Sequence, residues 1–154
     1  MQTRLAMLAA VGSVVLLLGA LGFQYLGNMA PCKMCYWQRY PHAVAITLGL
    51  AFFLIQQRSL LWLGAIAALA TGGIGLYHAG VERGLWQGPT SCTSGLIAGS
   101  STDDLVAQIM ATSIVRCDDV PWELFGVSMA GWNGILSICL MGIWLWAATQ
   151  KPAA

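Results

Sequence analysis

The chain predicts an all-α fold: a polytopic membrane four-helix bundle with a long outer loop that contains a short amphipathic helix. Three observations predict it. Of 154 residues, 58% are hydrophobic and only 8% are charged, whereas soluble domains carry about 25% charged residues. Four uncharged windows stand out: between Arg4 and Lys33, Tyr40 to Gln57, Ser59 to Val81, and Leu124 to Gln150. A spanning helix needs roughly 20 mostly apolar residues, and lipid leaves the backbone no partner but itself, so each window reads as a helix. Finally, Pro31-Cys32-Lys33-Met34-Cys35 sits between the first two windows, which puts a C-x-x-C at a membrane edge.

The expected elements are helices at about 5–26, 37–57, 59–80 and 126–149, with outer loops at about 27–36 and 81–125, all in one integral membrane domain over 1–154. Leu5 to Leu26 is an apolar run of 22 residues, longer than the about 7–15 of a signal-peptide core, so the first helix is expected to be retained. Gln56-Gln57-Arg58-Ser59 makes the second and third helices an antiparallel hairpin. Gly72, Gly73 and Gly75 let a neighbour approach the third helix closely. In the long loop, Ser101-Thr102-Asp103-Asp104 reads as a helix start, and Leu105, Val106, Ile109 and Met110 recur at helical spacing.

Four spans place both termini on one side, with Arg4, Arg58 and Lys151. The other side holds Lys33, Arg39, Arg83, Arg116 and all six acids. Cations packed into very short segments at helix ends mark the cytoplasmic side, so the termini face the cytoplasm and the cysteine loops face outward. A net charge of +1 and the absence of a basic run exclude a polyanion partner such as nucleic acid.

The chemistry lies in the cysteines. Cys32 and Cys35 can close a disulfide or act in sequence, one attacking and one resolving. Cys35 precedes a helix and meets its positive dipole end. One turn on, Arg39 either stabilises a Cys35 thiolate or an anionic acceptor beside it, or snorkels to headgroups. Cys92 and Cys117 are either a structural staple of the long loop or a second exchanging pair; four cysteines admit three pairings. Zinc is the chemical rival, but Cys92 and Cys117 lack the paired spacing of a zinc site, so no metal is expected. Cys139 reads as a small buried hydrophobe. His78, near the outer end of the third helix, is either a proton donor to a reduced acceptor or a satisfied interfacial histidine. Glu82 and Asp118-Asp119 read as solvated.

These residues together resemble the DsbB family of bacterial disulfide-bond-formation proteins. The resemblance rests on Cys32-x-x-Cys35-x-x-Gln38-Arg39 at the start of the second span, the outer loop with Cys92 and Cys117, and Trp122 before Gly126-x-Ser128-Met129-Ala130-x-Trp132-Asn133. It covers nearly the whole chain. It implies a thiol:quinone oxidoreductase of the bacterial inner membrane that re-oxidises the periplasmic dithiol oxidase DsbA and passes electrons to ubiquinone or menaquinone. By position, it implies that Cys92 forms the mixed disulfide with DsbA, Cys117 attacks Cys32, and Cys35 is released against the quinone, with Arg39 and His78 beside it. The alternatives are an enzyme like vitamin-K-epoxide reductase and a membrane protein whose disulfides are only staples.

Overall fold

The computed structural model describes residues 1–89 and 115–150. Among them are four long helices: α1 (Gln2–Tyr25), α2 (Lys33–Ile55), α3 (Ser59–Glu82) and α4 (Met129–Thr149). The helices expected from the charge-free windows are all present. Cys92 and the amphipathic helix expected around residues 101–110 lie outside the described residues.

Sequential neighbours pack in a ring. α3 makes its largest interface with α4 and the next with α2, and α1 packs on both α2 and α4. The interior is built of small residues: Ala6, Ala9 and Ala10 of α1, Ala65 and Ala68 of α3, and Ala147 and Ala148 of α4 are buried around Phe52, Leu61 and Trp144. Large apolar side chains point outward, with Val15, Leu18, Leu54 and Ile66 each at least 60% exposed. This inverts the arrangement of a water-soluble bundle. It suits lipid, where apolar surface outside costs nothing and close backbone approach supplies the packing. Gly75 shows the approach: a Cβ there would lie 2.8 Å from the Gly134 nitrogen and 2.9 Å from the Ala130 oxygen.

α1, α3 and α4 are long and apolar enough to cross a membrane by length and composition. α2 has the length, 23 residues, but its first turns carry Lys33, Gln38, Arg39 and His42, which lower its apolar character. It also begins earlier than the charge-free window. Cys32 caps it, accepting from the Cys35 backbone N–H at 3.3 Å, so the helix starts at Lys33 and Pro41 falls inside it. The α2–α3 turn is as tight as the sequence implied, with Gln56 closing α2 in the left-handed region (φ 55°).

Before α4 the chain forms a small hairpin that the sequence did not announce. Strands β1 (Glu123–Leu124) and β2 (Val127–Ser128) pair antiparallel. Phe125 and Gly126 turn between them at φ 53° and 72°, the two positive φ values of a two-residue hairpin loop. The hairpin delivers Ser128 as the cap of α4, its Oγ accepting from the Gly131 N–H at 3.1 Å.

Candidate functional site: a buried dithiol with a histidine partner

The cap geometry of α2 places the two sulfurs. Cys32 is the N-cap and Cys35 lies in the first turn, so both side chains meet at the helix start with Sγ atoms 2.9 Å apart. Both are free thiols; a disulfide would need about 2.05 Å. Cys32 is 5% exposed. From α3, His78 Nε2 approaches Cys32 Sγ at 3.5 Å, and Glu82 Oε1 lies 3.9 Å from the same ring nitrogen.

The surroundings of Cys32 favour its thiolate. The hydrogen bond that it shares with the Cys35 sulfur is the chief reason that its pKa falls from the ordinary 9.0 to about 4; burial opposes the fall, while His78 and the Cys35 backbone N–H assist it. Sequence reasoning centred on a Cys35 thiolate. In the dithiol state Cys32 is the sulfur that faces the helix-end N–H and the imidazole together.

Arg39 runs toward α1: its Nη1 donates to Gln24 Oε1 at 2.6 Å and its Nη2 to the Ala20 carbonyl at 3.3 Å. The guanidinium also stacks over Tyr36, 5.1 Å from the ring centre, and its Nε is buried with no partner. Arg39 still shares a wall with the sulfurs. A mostly apolar cavity of about 610 Å³ is lined by Cys32, Cys35, Arg39, His42, His78 and Trp132, among others.

Cys117 is disulfide-bonded and fully buried in one cluster with Cys32, Met34 and Val81. The structure therefore brings Cys32, Cys35, Cys117, Arg39 and His78 to one end of the bundle.

Three expectations need correction. Glu82 is not solvated: its side chain is 3% exposed beside His78 and accepts from the Ser128 hydroxyl, because the hairpin folds Ser128 over it. Cys139 is exposed on the outer face of α4, not buried, because Ser137 and Leu140 take the inward positions. Asp118 is not simply solvated either; it pairs with Arg116 at 2.5 Å at the surface.

Sequence reasoning gave no role to four residues that join the site: Gln38, His42, Thr71 and Asn133. Gln38 and His42 are buried one turn apart on α2. Two polar residues at that spacing in an apolar helix were a signal that the sequence offered.

Cys32, Cys35 and His78 place their donor atoms within 4.8 Å of one another, close enough to raise the question of a metal. Two features argue for a dithiol. Sulfurs on one tetrahedral zinc, at Zn–S of about 2.3 Å, stand roughly 3.8 Å apart, well beyond the 2.9 Å observed. A metal-bound histidine also donates through its second nitrogen, whereas His78 Nδ1 faces the Gln38 amide nitrogen at 3.0 Å.

The fold and the site together define a membrane helix bundle with a redox-capable dithiol at one end. The comparisons with known proteins narrow that class. The family model "Disulfide bond formation protein DsbB" matches residues 2–147, and the chain belongs to the DsbB family. The disulfide bond formation protein B of Shewanella sp. (strain MR-4) is 33% identical over 99% of this chain and 94% of its own length. That of Verminephrobacter eiseniae (strain EF01-2) is 32% identical over 96% and 86%. The uncharacterized protein RP370 of Rickettsia prowazekii (strain Madrid E) is 29% identical over 84% and 77%. No solved structure matches.

Proposed function

We propose that this protein is a thiol:quinone oxidoreductase of the bacterial inner membrane, one domain with cytoplasmic termini and periplasmic cysteine loops. It re-oxidises a DsbA-like thioredoxin-fold oxidase and delivers the electrons to a membrane quinone, most simply ubiquinone. The observation that carries the reading is a free dithiol in the wall of an apolar cavity, with a histidine beside its buried sulfur.

The combination of states is informative. Cys117 is in a disulfide while Cys32 and Cys35 are free thiols. In the proposed relay, Cys92 receives the partner's sulfur, and the freed Cys117 thiolate attacks Cys32 in a Cys32–Cys35 disulfide, expelling Cys35. The partner's second thiol then displaces Cys92, and the freed Cys92 attacks the Cys117–Cys32 bond; this restores the Cys117 disulfide and leaves the C-x-x-C reduced, the arrangement seen here. The burial of Cys117 in one cluster with Cys32 supports a direct exchange between them. Re-forming the Cys32–Cys35 bond from the Cys32 thiolate and the Cys35 thiol releases two electrons and the Cys35 proton, the Cys32 proton having left when that sulfur ionised.

The cavity suits a quinone. Its walls are mostly apolar, and two wall atoms are buried without partners: Arg39 Nε, a donor suited to a carbonyl oxygen, and His42 Nδ1, an acceptor suited to the hydroxyl of the reduced carrier. When bound, a quinone supplies a two-electron, two-proton sink. The protein's part is to hold Cys35 at the cavity wall, keep Cys32 ionised through Cys35 and His78, and exclude water with the Trp132 and Leu136 side of α4.

The test is turnover. Purified protein given a reduced DsbA-like protein and ubiquinone is expected to consume thiols, and Cys35→Ser to abolish this. Full turnover in Cys35→Ser rules the mechanism out.

A further inference from the structure

Behind His78 a chain of side-chain hydrogen bonds crosses the bundle from α3 through α2 to α4. Gln38 Nε2 faces His78 Nδ1 at 3.0 Å and donates to the Met34 carbonyl at 3.2 Å. Gln38 Oε1 accepts from Asn133 Nδ2 at 2.8 Å. Asn133 Nδ2 also reaches Thr71 Oγ1 at 3.2 Å, and Asn133 Oδ1 lies 2.9 Å from His42 Nε2.

We propose that Gln38 and Asn133 are positioning residues that lock His78 as the neutral imidazole with its proton on Nε2, facing the Cys32 sulfur, and that His42 holds the far end of the chain.

Fixed hydrogen-bond polarity decides the tautomer. A backbone carbonyl only accepts, so the end of the Gln38 amide at Met34 is the NH₂ end. The same nitrogen faces His78 Nδ1, which must offer its lone pair, and the ring proton is left on Nε2. The second anchor is independent. Thr71 Oγ1 gives its hydrogen to the Gln38 backbone carbonyl at 3.0 Å, so it accepts from Asn133. Asn133 Oδ1 is then the atom facing His42, whose Nε2 donates. Reversing the Gln38 amide sets its oxygen against the Met34 oxygen. Water cannot repair such a clash, because Gln38, His42, His78 and Thr71 are all at most 6% exposed, and a buried unpaired polar group is costly.

The consequence falls on Cys32. A ring with its proton on Nδ1 would present a second lone pair to the sulfur. A ring with its proton on Nε2 presents a donor. Other groups also face that sulfur: Cys35 from α2 and Glu82 from α3. Arg39, Arg116 and Asp119 line the same cavity, and the Cys117 backbone is a further hydrogen-bond partner of the His78 ring. Cys35 and His78 lie within hydrogen-bonding distance of the Cys32 sulfur.

The chain has only two histidines, which makes the test direct. The full-length reduced protein is labelled with ¹⁵N in its histidine rings and placed in lipid nanodiscs, and His42→Phe assigns the two sets of signals. His78 is expected to show a bare Nδ1 and a protonated Nε2. Gln38→Leu is expected to mix the two tautomers and to raise the midpoint of the Cys32 alkylation profile by about one pH unit, the scale of one lost hydrogen bond to a charged group. Asn133→Leu, which touches neither Cys32 nor His78, is expected to move both readouts the same way by less. A residue that merely glues helices together moves neither. A wild-type spectrum with the His78 proton on Nδ1 overturns the proposal. So does a folded Gln38→Leu or Asn133→Leu protein with the wild-type tautomer and profile; should Gln38→Leu not fold, Asn133→Leu and the wild-type spectrum decide. None of these readouts needs quinone or turnover, so the outcome is separate from that of the proposed reaction, although the interest of a charged Cys32 rests on it.

Discussion

Two glycines in α3 separate close packing from mere glycine abundance. Gly75 faces the α4 backbone, and a Cβ there meets Gly134 N at 2.8 Å and Ala130 O at 2.9 Å; Gly73, two residues earlier, has nothing within 4 Å. Ordinary carbon contacts need about 3.5–4.0 Å, so Gly75→Ala must push α3 and α4 apart by about 0.7 Å or more. Neither obstructing atom is the tip of a flexible side chain, so the strain cannot be relieved by a rotamer change. Overpacking of this kind costs about 1–3 kcal/mol, a factor of about 5 to 150 in the unfolding equilibrium at about 1.4 kcal/mol per tenfold. The same separation acts on the site, because Gly75 lies one turn from His78 on α3 and Gly134 is next to Asn133 on α4. The assay is reversible unfolding in mixed micelles, followed by circular dichroism, with Cys32 alkylation measured in parallel. Gly75→Ala is expected to lose stability and to raise the Cys32 alkylation midpoint, while Gly73→Ala leaves both within experimental scatter. Equal effects from the two substitutions would refute the packing argument.

Three further outcomes follow from the same coordinates. His78→Phe removes the imidazole donor from Cys32; a hydrogen bond to a charged group contributes about 1.5–3 kcal/mol, so the Cys32 alkylation midpoint should rise by about one to two pH units, read by mass spectrometry of the Cys32 peptide. A midpoint unmoved by that change shows that His78 does not act on Cys32. Because the Cys32 pKa is depressed from 9.0 to about 4, its contribution to folding is fully present above about pH 9 and is lost as the pH falls through about 4. The reduced protein should therefore unfold more readily as pH drops across that window, and Cys32→Ser should flatten that part of the curve. Finally, Phe52 is 0% exposed in the cluster with Trp144 and Leu61, so Phe52→Ala should cost about 3–5 kcal/mol; a loss under 1 kcal/mol in the same unfolding assay would mean that this core is not packed as described.

What the sequence determined was everything with a local cause. Charge-free runs of helical length fix the four helices, because lipid permits no other backbone arrangement. Cys32 and Cys35 are three apart, so any helix start at that point brings their sulfurs together. The Gln56–Ser59 turn followed from its brevity. The polar residues inside the bundle were a different matter. Gln38, Thr71, His78 and Asn133 are separated by tens of positions, and no periodicity says which of them meet. Their pairing depends on how closely α3 and α4 approach, and Gly75 against Gly134 sets that distance. Tertiary structure likewise contributed to the acidity of Cys32, since a histidine on another helix adds to the local hydrogen bonds from Cys35. It also decided that Glu82 is enclosed, since the hairpin at Phe125–Gly126 carries Ser128 over it. Helices are written into short-range chemistry; partners across helices are chosen only when backbones pack, because a hydrogen bond needs its two atoms within about 3 Å and sequence separation carries no such distance.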